Sequence, residues 1–316
     1  MKALKSFKAP GGVREGDVVP LTISDEVFGL FQNLIYTIAG IRLSNQKKGF
    51  LSSRLLRRLK KLGINSLHEY YRRVKDDSDE LVEMLNCIST NTTHFFRESH
   101  HFEFLKNKII PELLTIKSSE KTIRIWSAGC STGEEPYSIA ITLCEALRSS
   151  NELKEKNISV DSLLVTRHSL LNKGWDSKIL ATDISTKVLD TAQNGIYEYE
   201  AVSDMPENIV CRYFLRGTDE NAGRIKVKDF LKDMIRFKRL NLKDGAYPFK
   251  RKFDVIFCRN VMIYFDEDMK QHLLLMFHRH LSDSGYLFLG HSETMLGSNG
   301  FKPVFITVYR KQQPTT

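Results

Sequence analysis

Cysteine is scarce in this chain, with five in 316 residues: Cys87, Cys130, Cys144, Cys211 and Cys258. None stands in a Cys-x-x-Cys pair or at metal-ligand spacing from a histidine. That excludes a disulfide framework and a structural zinc site, and it predicts a reduced, cytoplasmic protein without a metal. No run approaches the roughly 18 apolar residues of a membrane span, so insertion into a bilayer is not expected. The N-terminus carries Lys2, Lys5 and Lys8 without an apolar segment after them, which reads as a tail rather than a signal peptide. There is no Gly-Lys-Ser/Thr, which excludes a P-loop. Neither a Ser-His-Asp set nor a Cys-His set is evident. Internal repeats and low-complexity tracts are also lacking.

What is present begins with charge. A formal net charge of +9 implies an acidic partner. Nucleic acid, anionic lipid and an acidic protein surface are all open on charge alone.

The most informative stretch runs Arg124-Ile-Trp-Ser-Ala-Gly-Cys-Ser-Thr-Gly-Glu-Glu-Pro-Tyr-Ser-Ile-Ala-Ile141. It reads as a short buried strand, a turn with Gly129 and Gly133, and an amphipathic helix. Such a turn lets an extended ligand lie against bare backbone at the carboxyl edge of a sheet. The acidic pair Glu134-Glu135 would repel a phosphate and suits a cationic group. S-adenosyl-L-methionine, with its ammonium and sulfonium, fits. A glycine turn that only joins strand to helix is the competing reading.

Three regions follow from periodicity. Residues 1–22 lack it and read as a mobile tail. Residues 23–90 are helical throughout: Val27, Phe28, Phe31, Leu34 and Ile35 follow a Ser24/Asp25 cap, and Leu51, Leu55, Leu59 and Leu62 share one face of a second helix. Arg54, Arg57, Arg58 and Lys61 share another face of it, with no acid between Lys47 and Leu67. From residue 106 to 312, strand-like runs alternate with helices, which predicts a doubly wound, mainly parallel α/β sheet. The linker 91–105 joins the two parts. Residues 148–176 read as an insertion. Residues 210–230 read as a small antiparallel hairpin, bounded by Gly217 and Gly223.

Ligands of open α/β sheets gather at the carboxyl ends of the strands. There stand Asp183, suited to a ribose diol or to a helix N-cap; Asn241 and Leu242, suited to an adenine edge and its apolar wall or to a turn; and Arg259-Asn-Val-Met-Ile-Tyr264, whose polar groups amid apolar ones favour a site. The last run lacks the Asn/Asp-Pro-Pro-Tyr/Phe pattern that grips a base amine, and Cys258 lacks a preceding proline. Nucleic-acid methylation is therefore disfavoured. The linker holds Asn91-Thr-Thr-His-Phe-Phe-Arg97-Glu98, in which Phe95 and Phe96 are expected to plug the interdomain core and His94 to be an interface histidine.

Together these motifs, with Ala181-Thr-Asp-Ile-Ser185 and Gly290-His-Ser-Glu293, run in the order found in the chemotaxis receptor methyltransferases (CheR type), a family that the chain resembles over about residues 24–310. The resemblance implies a small all-α N-terminal domain, then a Rossmann-like class I methyltransferase domain with a small antiparallel β-subdomain. It implies contacts to S-adenosyl-L-methionine from Asn91, Thr93, Arg97, Glu135, Asp183, Asn241, Leu242, Arg259 and Asn260, with Tyr264 near the transferable methyl. Arg97 and Tyr264 would be the catalytic pair. Implied activity is methyl transfer to glutamate side chains of chemoreceptor cytoplasmic helices, leaving S-adenosyl-L-homocysteine. A glutamate is already ionised at neutral pH and needs no general base. The basic face of Arg54, Arg57, Arg58 and Lys61 would then steer towards acidic receptor helices. Asp219 stands where peptide-gripping members have glycine, so tethering of a receptor tail through the hairpin is not implied. The same chemistry on another acidic protein of a chemosensory-like pathway, or a non-catalytic cofactor- or peptide-binding signalling adaptor, is the alternative.

Overall fold

A computed structural model of the chain describes residues 23–152, 174–295 and 300–312. The expected tail, 1–22, lies outside the described residues, as does most of the expected insertion. Residues 148–152 of that insertion instead extend the helix that opens at Glu134 and runs to Glu152.

The N-terminal part packs four helices: α1 (Asp25–Ala39), α2 (Lys48–Leu62), α3 (Leu67–Asp76) and α4 (Ser78–Ile88). Ser24 caps α1 by accepting from the Val27 N–H at 3.2 Å. Gly40 ends that helix at φ 70°, a conformation that a side chain would strain. Phe31, Ile35, Leu51, Leu55, Tyr70 and Met84 are fully buried and form the core between the helices. Inside this domain Arg58 makes a two-pronged pair with Glu80, at 2.8 and 2.7 Å, and the Tyr70 hydroxyl donates to the same carboxylate at 2.8 Å.

The second part is built on a seven-stranded sheet. In chain order its elements are β1 (Thr122–Ala128), β2 (Asp176–Asp183), β3 (Ile196–Glu198), β4 (Phe214–Arg216), β5 (Arg224–Val227), β6 (Ile235–Arg239), β7 (Phe253–Cys258), β8 (Leu281–Leu289), β9 (Phe301–Phe305) and β10 (Val308–Lys311). The strand order is β6-β2-β1-β7-β8-β10-β9, parallel except for the last two pairings. Every residue of β7 is buried, as expected for a central parallel strand covered on both faces. Alternation along the strands feeds two cores: Ile125, Val255 and Phe257 face one, and Trp126, Ile256 and Leu287 the other. Pro303 lies in the edge strand β9, where its missing N–H costs no ladder bond.

Strand order reverses between β1 and β7, which opens a crevice at their carboxyl ends. Gly129 and the helix Glu134–Glu152 follow β1, and Arg259 follows β7. The fold class read from the sequence is thus the one observed. One detail is corrected: the antiparallel hairpin β4–β5 is completed by β3 into a three-stranded sheet in the order β3-β5-β4, and residues 210–213, the start of the expected hairpin, belong to a helix (Glu207–Tyr213). A three-residue strand offers too short a pattern to recognise.

The linker was also only partly legible. Helices Ser99–Phe104 and Ile110–Ile116 are joined through one wider turn, Leu105–Ile109, just before Pro111. Phe95 and Phe96 pack into the core of the α/β part, not between the domains. Phe95 meets Tyr197 and Phe214 edge-on at 5.1 and 5.4 Å, and so anchors the linker to the three-stranded sheet. Contacts between the domains are made elsewhere. The Arg42 N–H donates to the Tyr264 carbonyl at 2.8 Å, and the Asn86 amide donates to Thr186 Oγ1 at 3.0 Å.

Candidate active site

One cavity lies at the β1–β7 crevice, closed on its open side by the helical domain. Asn91, Thr93, Arg97, Glu135, Asp183, Asn241, Leu242, Arg259, Asn260 and Tyr264 all line it. Ten residues spread over 174 positions of chain therefore meet at one wall, because four strands, β1, β2, β6 and β7, end at the same sheet edge and the linker lies against it.

Glu135, in the first turn of the helix after β1, receives a hydrogen bond from Ser127 Oγ at 2.7 Å and an ion pair from Arg259 Nη1 at 3.2 Å. Burial raises its pKa, against the lowering effect of Arg259 and Ser127. Glu134 turns away and is held by the Thr132 hydroxyl at 2.7 Å, so only one of the acidic pair faces the cavity. The two glycines of the turn also divide their work. A Cβ on Gly129, at φ 84°, would stand 2.4 Å from Val261 Cγ2 across the crevice. One on Gly133 would strike Ala192 and Tyr197, so that glycine serves helix packing and not a ligand.

Asp183 ends β2. Its two oxygens accept the N–H groups of Ser131 and Ser185, each at 2.9 Å. The N-cap of the next helix is Ser185, not Asp183, so the capping alternative falls to its neighbour. Burial raises the Asp183 pKa, and the N–H donors oppose that rise. Each oxygen keeps a second lone pair for a ligand hydroxyl.

The Asn241 side chain is spent differently from the expectation. Its amide donates to the Ile38 carbonyl at 2.8 Å and its oxygen accepts from Lys243 N at 3.2 Å. It ties α1 to the sheet as a turn residue while facing the cavity. Leu242 is 8% exposed and supplies an apolar wall.

Arg259 is buried, with its side chain 2% exposed. Besides Glu135 it pairs with Glu98 Oε2 at 3.3 Å, donates to the Arg97 carbonyl, and lies over the Phe102 ring at 5.4 Å. Asn260 adopts φ 59°, and Phe96, Glu98 and Ser131 around the same crevice also have positive φ. That concentration of backbone strain is typical of a functional site. Arg97 Nη1 donates to the Thr92 carbonyl at 3.0 Å. The Tyr264 hydroxyl accepts from Thr90 Oγ1 at 2.6 Å and keeps its own proton to donate.

The basic face of α2 needs one correction. Arg58, with its side chain 10% exposed, is committed to Glu80 and Glu83 within the domain and does not belong to a free cationic surface. Arg57 and Lys61 are exposed; Arg54 lies over the Phe50 ring at 5.1 Å. Phe50 in turn lines the cavity with Arg42 and Lys47, which the sequence reading did not single out.

Glu98 and Glu293 were quoted in motifs but given no role, since a buried acid is recognised only by its partners. Glu98 Oε2, His100 and His101 bring ligand atoms within 4.8 Å of one another. The guanidinium of Arg259 already stands beside that Glu98 oxygen, and its charge opposes a divalent cation there. Burial, with Arg259 next, holds His101 down at about 4, so its ring is neutral.

A buried acid beside a buried guanidinium suits the ammonium and carboxylate of an amino-acid ligand. An acid at the end of the next strand suits a ribose diol, and a leucine wall suits a flat base. The residues present therefore fit S-adenosyl-L-methionine, and fold and site define an S-adenosyl-L-methionine-dependent methyltransferase.

Comparison with known proteins narrows the class. Residues 26–89 match the model of the CheR methyltransferase all-alpha domain, and residues 91–164 and 162–310 match that of the CheR methyltransferase SAM binding domain. A "Chemotaxis protein methyltransferase" of Borreliella burgdorferi is 40% identical over 291 residues, covering 91% of this chain and 94% of its own. "Chemotaxis protein methyltransferase 2" of Pseudomonas aeruginosa is 38% identical, with 90% and 92% covered. The Escherichia coli "Chemotaxis protein methyltransferase" is 37% identical, with 86% of each chain covered. The chain belongs to the CheR methyltransferase family.

Proposed function

We propose that this protein methylates glutamate side-chain carboxylates on chemoreceptor cytoplasmic helices, forming glutamyl methyl esters and S-adenosyl-L-homocysteine, as part of sensory adaptation. The observation that carries the reading is the pairing of Glu135 with Arg259 beside Asp183 in a cavity walled by the helical domain. The names of the relatives supply the chemotactic setting.

Bound there, S-adenosyl-L-methionine supplies an electrophilic methyl group to an acceptor carboxylate. Glu135 takes the ligand's ammonium, Arg259 holds its carboxylate, and Asp183 accepts from the ribose hydroxyls. Leu242 and the remaining amide hydrogen of Asn241 bound the adenine, while Asn91, Thr93 and Asn260 complete the wall. Arg97 offsets the acceptor's negative charge at the mouth, and the Tyr264 hydroxyl donates to it to fix its direction. No residue has to remove a proton, since the acceptor is an anion at neutral pH. Holding the reacting atoms in line and shedding water supply the acceleration.

Docking falls to the exposed cations of α2, Arg57 and Lys61, with Arg54 and the cavity-rim residues Arg42 and Lys47. A cationic face towards acidic helices raises encounter rates. The protein acts from the cytoplasm on the receptor, without inserting in the membrane or binding nucleic acid. Among the described residues no helix is long and apolar enough to cross a membrane.

The test is transfer of tritiated methyl from S-adenosyl-L-methionine to receptor-enriched membranes, followed by alkali. Label released as methanol is the expected result. Alkali-stable label, or binding of the cofactor without transfer to any receptor fragment, would overturn the assignment.

A further inference from the structure

The motif Gly290-His-Ser-Glu293 follows β8 and has no part in the binding roles above. Glu293 is 6% exposed, and its carboxylate gathers three backbone N–H groups. Oε2 accepts from Asn260 at 2.8 Å and from Gly290 at 2.6 Å, and Oε1 accepts from Ile263 at 3.2 Å. Two of these donors belong to the turn after β7 that carries Arg259, Asn260 and Tyr264. The third directly follows the neighbouring strand. One side chain thus clasps the turn at both of its ends and ties it to β8. The clasp is close: a Cβ on Gly290 would lie 2.7 Å from both Asn260 N and Glu293 Oε2. It also holds Asn260 in its left-handed conformation, which costs energy without such support.

We infer that Glu293 is a positioning residue for methyl transfer, which sets the Ile263–Tyr264 end of the turn against the acceptor while the Arg259–Asn260 end holds the cofactor. The inference rests on the proposed transfer reaction for its kinetic part only. A carboxylate can receive all three donors because both of its oxygens accept. A glutamine has one oxygen. Placed towards Asn260 and Gly290, it turns its NH2 group onto the Ile263 N–H, donor against donor. Glu293→Gln should therefore release the Tyr264 end of the turn and spare the other.

The experiment pairs kinetics on receptor fragments with calorimetric binding of S-adenosyl-L-homocysteine, on the full chain, well below the melting temperature of the variant. Glu293→Gln is expected to lower kcat between about tenfold and a hundredfold, the scale of a misplacement near 1 Å, while product affinity stays within about threefold. Unchanged kcat, or an affinity that falls in step with kcat, overturns the inference. Amide hydrogen exchange on the native protein needs neither variant nor acceptor. Slow exchange at Ile263 supports the clasp, and exchange as fast as in an exposed loop overturns it. Absence of any ester on the receptor after treatment with the native enzyme would sink the functional reading and leave this second measurement standing.

Discussion

Arg259 and Glu135 meet at 3.2 Å with side chains only 2% and 12% exposed. One follows β7 and the other follows β1, so the pair spans the point where the strand order reverses. Each residue is the other's counter-ion before any ligand arrives, and a ligand carrying both charges can engage the pair without leaving either group bare. A second acid, Glu98, also pairs with the guanidinium, so under the proposed binding mode Arg259 keeps a partner when Glu135 engages the ligand.

Substitution of Glu135 by glutamine removes the charge with little change of shape. Arg259 retains Glu98, so the fold should hold. The affinity for S-adenosyl-L-homocysteine should fall at least tenfold, or about 1.4 kcal/mol, in line with loss of one charge-assisted hydrogen bond. Calorimetry on the purified variant checks this. Unaltered affinity would remove Glu135 from the ligand's ammonium.

Acidification should separate binding from stability. Burial raises the pKa of both Glu135 and Asp183, despite the donors that oppose it. In the proposed binding mode the ligand needs their ionised forms, so affinity should weaken as the pH falls through values above the ordinary carboxylate range of about 4. The stability contribution has the opposite sign. A carboxyl whose folded pKa is raised favours the folded state most below its unfolded value, and that contribution is lost as the pH rises through the folded value. The ligand-free protein should therefore gain from these two groups on mild acidification, while the complex loses. Melting temperatures with and without S-adenosyl-L-homocysteine between neutral pH and about pH 5 should converge as the pH falls; a constant gap would show that neither carboxylate titrates against the ligand.

The strong periodic signals were legible in sequence and the partner-dependent ones were not. Strands such as Ile235–Arg239 and Phe253–Cys258 and the helix Thr186–Asn194 stand where the alternation of apolar residues places them. The cavity wall was legible too, because the sheet rule puts site residues at the carboxyl ends of strands, where Asp183 ends β2 and Asn241 and Arg259 follow β6 and β7. Arg58 shows the limit. Its spacing matches Arg54, Arg57 and Lys61, but Glu80 and Glu83 come from another helix and are invisible to periodicity within α2. Glu293 shows the same limit from the other side, since its three donors are main-chain atoms with no residue signature.

Replacing Gly129 by alanine tests the turn itself. At φ 84° a side chain costs roughly 1–2 kcal/mol in backbone strain. Its Cβ would also drive against Val261, 2.4 Å away on the loop that bears Arg259 and Asn260. Cofactor affinity should drop by more than tenfold, and binding isotherms measured below the variant's melting temperature would show it. A variant that binds normally would mean that the crevice tolerates a wider separation of its two lips.

The helix α2 divides into two kinds of cation, and substitution should tell them apart. Arg57 and Lys61 are exposed and, among the described residues, have no partner that fixes the fold, so their joint reversal to glutamate should leave melting and product affinity close to native. Turnover on receptor fragments should fall in kcat/KM, strongly at low salt and weakly at high salt, because screening removes long-range attraction first. Arg58 is the contrast. Its side chain is 10% exposed and braces that of Glu80, which is 4% exposed. Burial alone would raise the pKa of Glu80, but the hydrogen bonds from Arg58 and Tyr70 outweigh it and leave the pKa below the ordinary range. Arg58→Ala abandons that buried charge, at a cost of about 3 kcal/mol or more, and should lower the melting temperature whatever the salt. A double reversal at Arg57 and Lys61 with native kcat/KM at low salt would sever α2 from docking, and a harmless Arg58→Ala would contradict its role as a brace within the domain.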